Sequence, residues 1–181
     1  MNRNQRTIVL LVVQAALVLS IAGKYLYERK TCPRVWVRTA QFDPNMPLRG
    51  RYLSLQLAVD ACGLPRDEVH RMKGYMPGTD YWRWEDAKPV VRDGKLVAVS
   101  AGATDRPELT DEVILLGNRS CDRATLSKSV DYFTPDTAKG PFPLKKGEEL
   151  WVEVTVPQMG PPRPIQLALA KDGAFTPLKM E

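Results

Sequence analysis

Two patterns of hydrophobic and polar positions divide the chain. From Thr7 to Gly23, TIVLLVVQAALVLSIAG, there is no charge, and the polar side chains are Thr7, Gln14 and Ser20. Such a run predicts a helix that satisfies its own backbone in lipid. At 1.5 Å per residue it spans roughly 25 Å, slightly less than a hydrocarbon core. Lys24, Tyr25 and Tyr27 extend it, since aromatic rings favour the interface and a lysine stem can follow the acyl boundary. The same stretch also fits a cleavable signal peptide, with Arg3 and Arg6 as a basic start and Ser20-Ile21-Ala22 ahead of Gly23. Length and flanks favour retention as a signal anchor. The expected organisation is a cytoplasmic terminus at 1–6, a transmembrane anchor at 7–27 and an exported β-rich domain at 28–181.

After residue 30 the period changes to two. In Arg51 to Ala61, RYLSLQLAVDA, Leu53, Leu55, Leu57, Val59 and Ala61 share one face, while Ser54, Gln56 and Asp60 take the other. Val35 to Thr39 reads as a preceding strand. Lys88 to Ser100 reads as a hairpin around Asp93-Gly94, a pair suited to left-handed turn geometry. Glu112 to Leu116, Glu149 to Val156, Ile165 to Ala170 and Ala174 to Leu178 complete the strands, the last two joined at Asp172-Gly173. Arg66 to Lys73, opened by Pro65 and stopped by Gly74, is the one soluble helix expected. All fifteen prolines follow residue 30 and cut the chain into short segments. The fold expected is therefore mainly β, a small sandwich or barrel-like domain behind one transmembrane helix.

Charge sharpens this division. Residues 1–30 hold five Lys or Arg and one Glu, net +4, which leaves +1 for the remainder of a chain whose total is +5. The basic balance belongs to the membrane flanks, where anionic headgroups are the natural partner. A nearly neutral domain has no electrostatic footprint for nucleic acid. The cysteines are Cys32, Cys62 and Cys121. Cys62 and Cys121 lie at strand ends within the domain and are the expected disulfide, whereas Cys32 lies beside the membrane.

Little in the sequence points to catalysis. The single histidine, His70, has the setting of a solvated imidazole, and neither a Cys-x-x-Cys pair nor a His cluster offers a metal site. We expect no metal, no cofactor and no enzyme. Glu85 and Asp86 adjoin Trp82 and Trp84 in DYWRWED, but an extended backbone points the two acids apart. Trp82 and Trp84 then share a face, as a packing stripe or part of a ligand site.

Asp43 to Leu57 reads DPNMPLRGRYLSLQL and resembles the signature of the GDYXXLXY family of bacterial membrane-anchored proteins. The matching positions are Asp43, Pro44, Arg49, Gly50, Tyr52 and Leu55. Arg51 stands where the family usually has Asp, and Leu57 where it usually has Tyr. Tyr132-Phe133-Thr134-Pro135 resembles a weaker landmark of the same family. The resemblance implies an anchored domain outside the cytoplasm, here on the periplasmic side of a bacterial inner membrane, accompanying multi-spanning membrane proteins. Lys24, Arg29, Lys30 and Arg34 outnumber Arg3 and Arg6, which by charge alone favours the opposite orientation. The cysteines and the resemblance decide for export.

Two functional classes remain. One is an accessory or interaction subunit of an integral membrane complex, with Gln14, Ser20, Ala15, Ala16, Ala22 and Gly23 offering contacts to other transmembrane helices. The other is an envelope ligand-binding module for a lipid headgroup or glycan, using Arg49, Arg51, Trp82 and Trp84. Pairing of Arg49 with Asp43 to fix the loop is the simpler role for that arginine.

Overall fold

In the computed structural model of the chain, the described residues are 3–39, 52–65, 69–73, 80–102, 110–117, 119–134, 144–158 and 160–178. They fall into two units, Met1–Cys32 and Pro33–Glu181. The first is a helix, α1 (Arg3–Thr31), of which Asn4–Thr31 is long and apolar enough to cross a membrane. It runs past the expected end at residue 27, so the interfacial tyrosines and the following basic residues are helical too. Arg29 and Lys30 occupy its last turn, where cations complement the carbonyl end of the helix. The Thr31 hydroxyl donates to the Tyr27 carbonyl at 2.8 Å.

The second unit is built of antiparallel strands: β1 (Arg34–Arg38), β2 (Tyr52–Leu55), β3 (Ala58–Val59), β4 (His70–Met72), β5 (Tyr81–Arg92), β6 (Lys95–Ser100), β7 (Asp111–Leu116), β8 (Ala124–Leu126), β9 (Val130–Phe133), β10 (Glu148–Thr155), β11 (Arg163–Lys171) and β12 (Ala174–Pro177). β1, β10, β11 and β12 form one sheet in that order, and β2 pairs with β9. The remaining order is β3-β8-β7-β5, with β4 and β6 both on β5. A parallel bridge from Asp60 to Val97 returns the chain from the end of β3 to β6. Its hydrogen bonds are Asp60 N–H to Leu96 O at 2.9 Å and Ala98 N–H to Asp60 O at 2.8 Å. Strands β3, β8, β7, β5 and β6 thus close into a ring, which removes edges that would otherwise stand unpaired.

The Leu53–Ala61 alternation supplies the centre of the core, with Leu53, Leu55, Leu57, Val59 and Ala61 all buried. They meet Val35 and Val37 from β1, Val113 from β7, Leu126 from β8, and Leu150, Val152 and Val154 from β10 in one cluster. The stretch changes partner as it runs. β2 lies on β9, Leu57 bridges Thr39, β3 lies on β8, and Asp60 reaches β6.

Between the β9 and β8 pairings the opposite chain makes an excursion at Ser127–Ser129, and Asp111 holds it. The Asp111 carboxylate accepts the Glu112 N–H at 2.8 Å and the Lys128 N–H at 3.2 Å, while the Lys128 ammonium donates to the Thr110 carbonyl at 2.7 Å. Burial pushes the Asp111 carboxyl upward, and the N–H groups of Lys128 and Glu112 partly oppose that shift.

Turn chemistry follows the sequence. Asp93 and Gly94 have φ of 50° and 71°, and Asp172 and Gly173 have 49° and 81°, which are the left-handed turns expected of both hairpins. Gly117 is constrained by space instead, since a Cβ there would stand 2.9 Å from the Asp80 carbonyl oxygen.

Two expectations are corrected. The helix expected at Arg66–Lys73 does not extend through its described part, where His70–Met72 is strand β4, paired with Tyr81–Arg83. Three ladder positions on a neighbouring strand outweigh the local helix signals of so short a segment. Residues 66–68 lie outside the described set. Glu85 and Asp86 do not point apart as in a regular strand: the β5–β7 register shifts between Trp84 and Ala87, and both acids are exposed.

Cys62 and Cys121 form a disulfide with Cα atoms 4.9 Å apart. It ties the turn after β3 to the short 3-10 turn Cys121–Arg123 that precedes β8, beside an Ala61 N–H to Cys121 O bond of 3.0 Å. The two cysteines are separated by 59 positions in sequence, so loss of the bond frees a long loop in the unfolded chain. Replacing both by Ser is expected to cost about 2–4 kcal/mol. Urea unfolding of the full chain in detergent checks this, and reductant should bring the parent to the same midpoint.

Candidate functional site

The expected tryptophan pair sits on a cleft. Strand β5 places Trp82 and Trp84 on one face, opposite Leu115 and Val113 of β7. Both rings line an apolar cavity of about 450 Å³, with Leu64, Val69, Leu115 and the Cys62–Cys121 disulfide completing the wall. Trp84 is only 7 % exposed, and its indole N–H donates to the Pro65 carbonyl at 2.9 Å. It is a fixed wall with its one donor already used. Trp82 is half-buried and lies 5.8 Å under the Arg71 guanidinium, which is held by Asp80 at 2.7 Å.

No charged side chain lines this cavity among the described residues. Its chemistry is therefore hydrophobic capture, and it suits an apolar side chain better than a sugar or a headgroup. Leu64, Val69 and Leu115 were not singled out from the sequence. The alternation of Leu115 with Val113 carries a signal for one of them, whereas Leu64 and Val69 arrive through the turn and the β4 connection.

The acids beside the cleft serve as ion-pair partners. Arg83 donates to Glu85 at 2.7 Å and lies 3.7 Å from Glu112 on β7. The hydrogen bond from Arg83, and then its charge, hold the Glu85 carboxyl below its usual value. Glu85 and Glu112 in turn keep the guanidinium protonated. Asp86 is exposed, and its carbonyl accepts the Ala101 N–H at 2.9 Å. This arrangement is a surface ion network, not a working acid pair. His70 is exposed on β4 opposite Arg83.

Of the signature positions, Asp43, Pro44, Arg49 and Gly50 lie outside the described residues, as does Arg51. Tyr52 opens β2, and Leu55 is buried in the core. The second landmark comes to the same place: Tyr132 pairs with Leu53, and Phe133 with Tyr52. Tyr52–Leu55 and Val130–Phe133, far apart in sequence, are thus adjacent strands that pack together.

These features define a helix long and apolar enough to cross a membrane, followed by a disulfide-clipped, mainly β domain with an apolar cleft. Neither the protein-family models, nor the curated proteins, nor the solved structures contain a match to the chain.

Glu148 gives the domain a pH dependence. Its carboxyl accepts the Lys145 N–H at 2.9 Å and faces the Lys171 ammonium at 3.6 Å. The Lys145 hydrogen bond first, and the Lys171 charge with it, lower its pKa from the ordinary 4.5. A depressed carboxyl stabilises the fold above the unfolded value and loses that contribution as pH falls through the folded one. Glu148→Gln is expected to flatten the acid limb of a melting-temperature profile below pH 4.5 and to leave its slope near neutrality unchanged. An unaltered acid limb would contradict the assignment.

Proposed function

We propose that this protein is a single-pass, membrane-anchored accessory subunit whose β domain lies outside the cytoplasm and docks onto an integral membrane protein. The observation that carries the reading is Gln14. In the span Asn4–Thr31 the Ser20 hydroxyl is already used, donating to the Leu17 carbonyl at 2.8 Å. The Gln14 amide has no hydrogen bond among the described residues. An unpaired amide in hydrocarbon is costly, and a polar group on a neighbouring transmembrane helix is the usual remedy.

Export is supported by the Cys62–Cys121 bond, since such a bridge persists in an oxidising compartment. The resemblance to the GDYXXLXY family points the same way, toward the periplasmic side of a bacterial inner membrane. The apolar cleft at Trp82 and Trp84 supplies a surface for an apolar side chain of the partner's exported segment. The rival role for this region, a headgroup or glycan site, is disfavoured by the uncharged lining.

Two experiments test the proposal. Gln14→Leu should preserve membrane insertion but reduce co-purification of a stoichiometric membrane partner from gentle detergent by roughly five- to tenfold, the worth of one interhelical hydrogen bond. An undiminished yield, or a parent chain that purifies alone, would refute docking through the helix. For orientation, Cys62 and Cys121 should resist a thiol reagent in intact cells until reductant is added. Reaction of both thiols with a cytosol-confined reagent without reductant would place the domain inside.

A further inference from the structure

A second cavity, of about 310 Å³, opens where β1 and the start of β10 meet the end of β3, the start of β6 and the Cys121–Arg123 turn. Its chemistry differs from that of the apolar cleft. β1 buries Val35 and Val37, so Trp36 and Arg38 take the other face, and Trp151 of β10 joins them. Both indoles line the cavity, and both are braced from behind. The Phe175 ring meets Trp36 edge-on at 4.6 Å and Trp151 at 6.1 Å. Ala168, paired with Trp151, is fully buried and leaves the rings room over β11. The Trp151 indole N–H donates to Glu149 at 3.3 Å, and Arg38 donates to the other oxygen of the same carboxylate at 3.1 Å. The aromatic wall is therefore ordered before any ligand arrives, which spares binding that entropy.

Opposite this wall stand acceptors and cations. Asp60 uses one oxygen on the Cys62 N–H at 2.9 Å, and Asp122 accepts the Ser120 hydroxyl, so each carboxylate retains lone pairs for further donors. Lys95 and Arg123 line the same cavity and hold no salt bridge among the described residues. Flat apolar faces, several hydroxyl acceptors and two exposed cations outside any salt bridge, of which Arg123 also acts on Asp122 by its charge, lie within one small cavity and match a particular kind of molecule. A pyranose offers an apolar C–H face to aromatic rings and many hydroxyl donors to carboxylates. The exposed cations Lys95 and Arg123 call in addition for an anionic substituent.

We propose that this groove binds a saccharide bearing a carboxylate or a phosphate. The inference is independent of docking through the helix or the apolar cleft.

The test uses the full chain in detergent micelles, labelled with nitrogen-15, with the Trp36 and Trp151 indole N–H resonances assigned by Trp→Phe variants. Glucuronate and glucose 6-phosphate are titrated as probes, with glucose, inorganic phosphate and AMP for comparison. Saturable shifts of both indoles with either anionic sugar are expected, and which of the two binds identifies the anion. Glucose should bind at least roughly tenfold more weakly, and Lys95→Ala and Arg123→Ala should each weaken the anionic sugar by roughly tenfold. Both variants change exposed groups and leave the Trp36–Phe175 contact intact. The absence of saturable shifts would overturn the proposal. So would an equal response to inorganic phosphate or AMP, or unchanged affinity in both variants.

Discussion

Five inward side chains on one short stretch, Leu53, Leu55, Leu57, Val59 and Ala61, hold the β domain together. A period of two puts all of them on the same face, and burial of each leucine or valine contributes roughly 1.5–3 kcal/mol. Their position matters as much as their number. The stretch lies first on β9, then on β8, and ends against β6, while Leu57 bridges Thr39 beyond β1. One strand therefore sews the four-stranded sheet, the two-stranded pair and the ring into a common core. A slip of one residue would turn the whole apolar set toward water and undo all three pairings together.

The polar groups around this core are arranged to keep it continuous. Asp111 is the clearest case. Its carboxylate is mostly buried and costs desolvation, but it satisfies backbone donors where the chain must leave the ladder at Ser127–Ser129. The exposed pairs have a smaller part. Arg71–Asp80, Arg83–Glu85 and Arg38–Glu149 are screened by water, and pairs of that kind contribute about 0–1 kcal/mol each. Their service is to fix tryptophans and strand ends in place. The disulfide acts on the same region through the unfolded state, closing the loop between β3 and the turn before β8.

The two cavities separate two kinds of recognition. The cleft at Trp82 and Trp84 has an apolar lining in which the Trp84 indole donor is already used on Pro65, so shape and hydrophobicity dominate what it can read. The groove at Trp36 and Trp151 surrounds its rings with charge, and hydrogen bonding there sets orientation. The helix adds a polar amide side chain, Gln14, to a stretch long and apolar enough to cross a membrane.

Local pattern was enough for much of this. The apolar run, the alternation at Leu53–Ala61 and at Leu150–Val156, and the Asp-Gly turns at 93–94 and 172–173 each express a preference that neighbouring residues do not contradict. Helix and strand periods and left-handed turn geometry are local properties, so sequence alone determined the apolar helix, the β class and both hairpins. The strand at His70–Met72, the bulge at Glu85-Asp86 and the excursion at Ser127–Ser129 are different. Their short segments carry weak or misleading local signals, and their conformation is set by the ladder each one joins. The same holds for the groove. Trp36 and Trp151 come together with Asp60, Lys95 and Arg123 because five separate segments converge on that place. No spacing along the chain encodes that neighbourhood. Only the closure of the ring against the four-stranded sheet decided it, because it is long-range backbone pairing that brings those segments into contact.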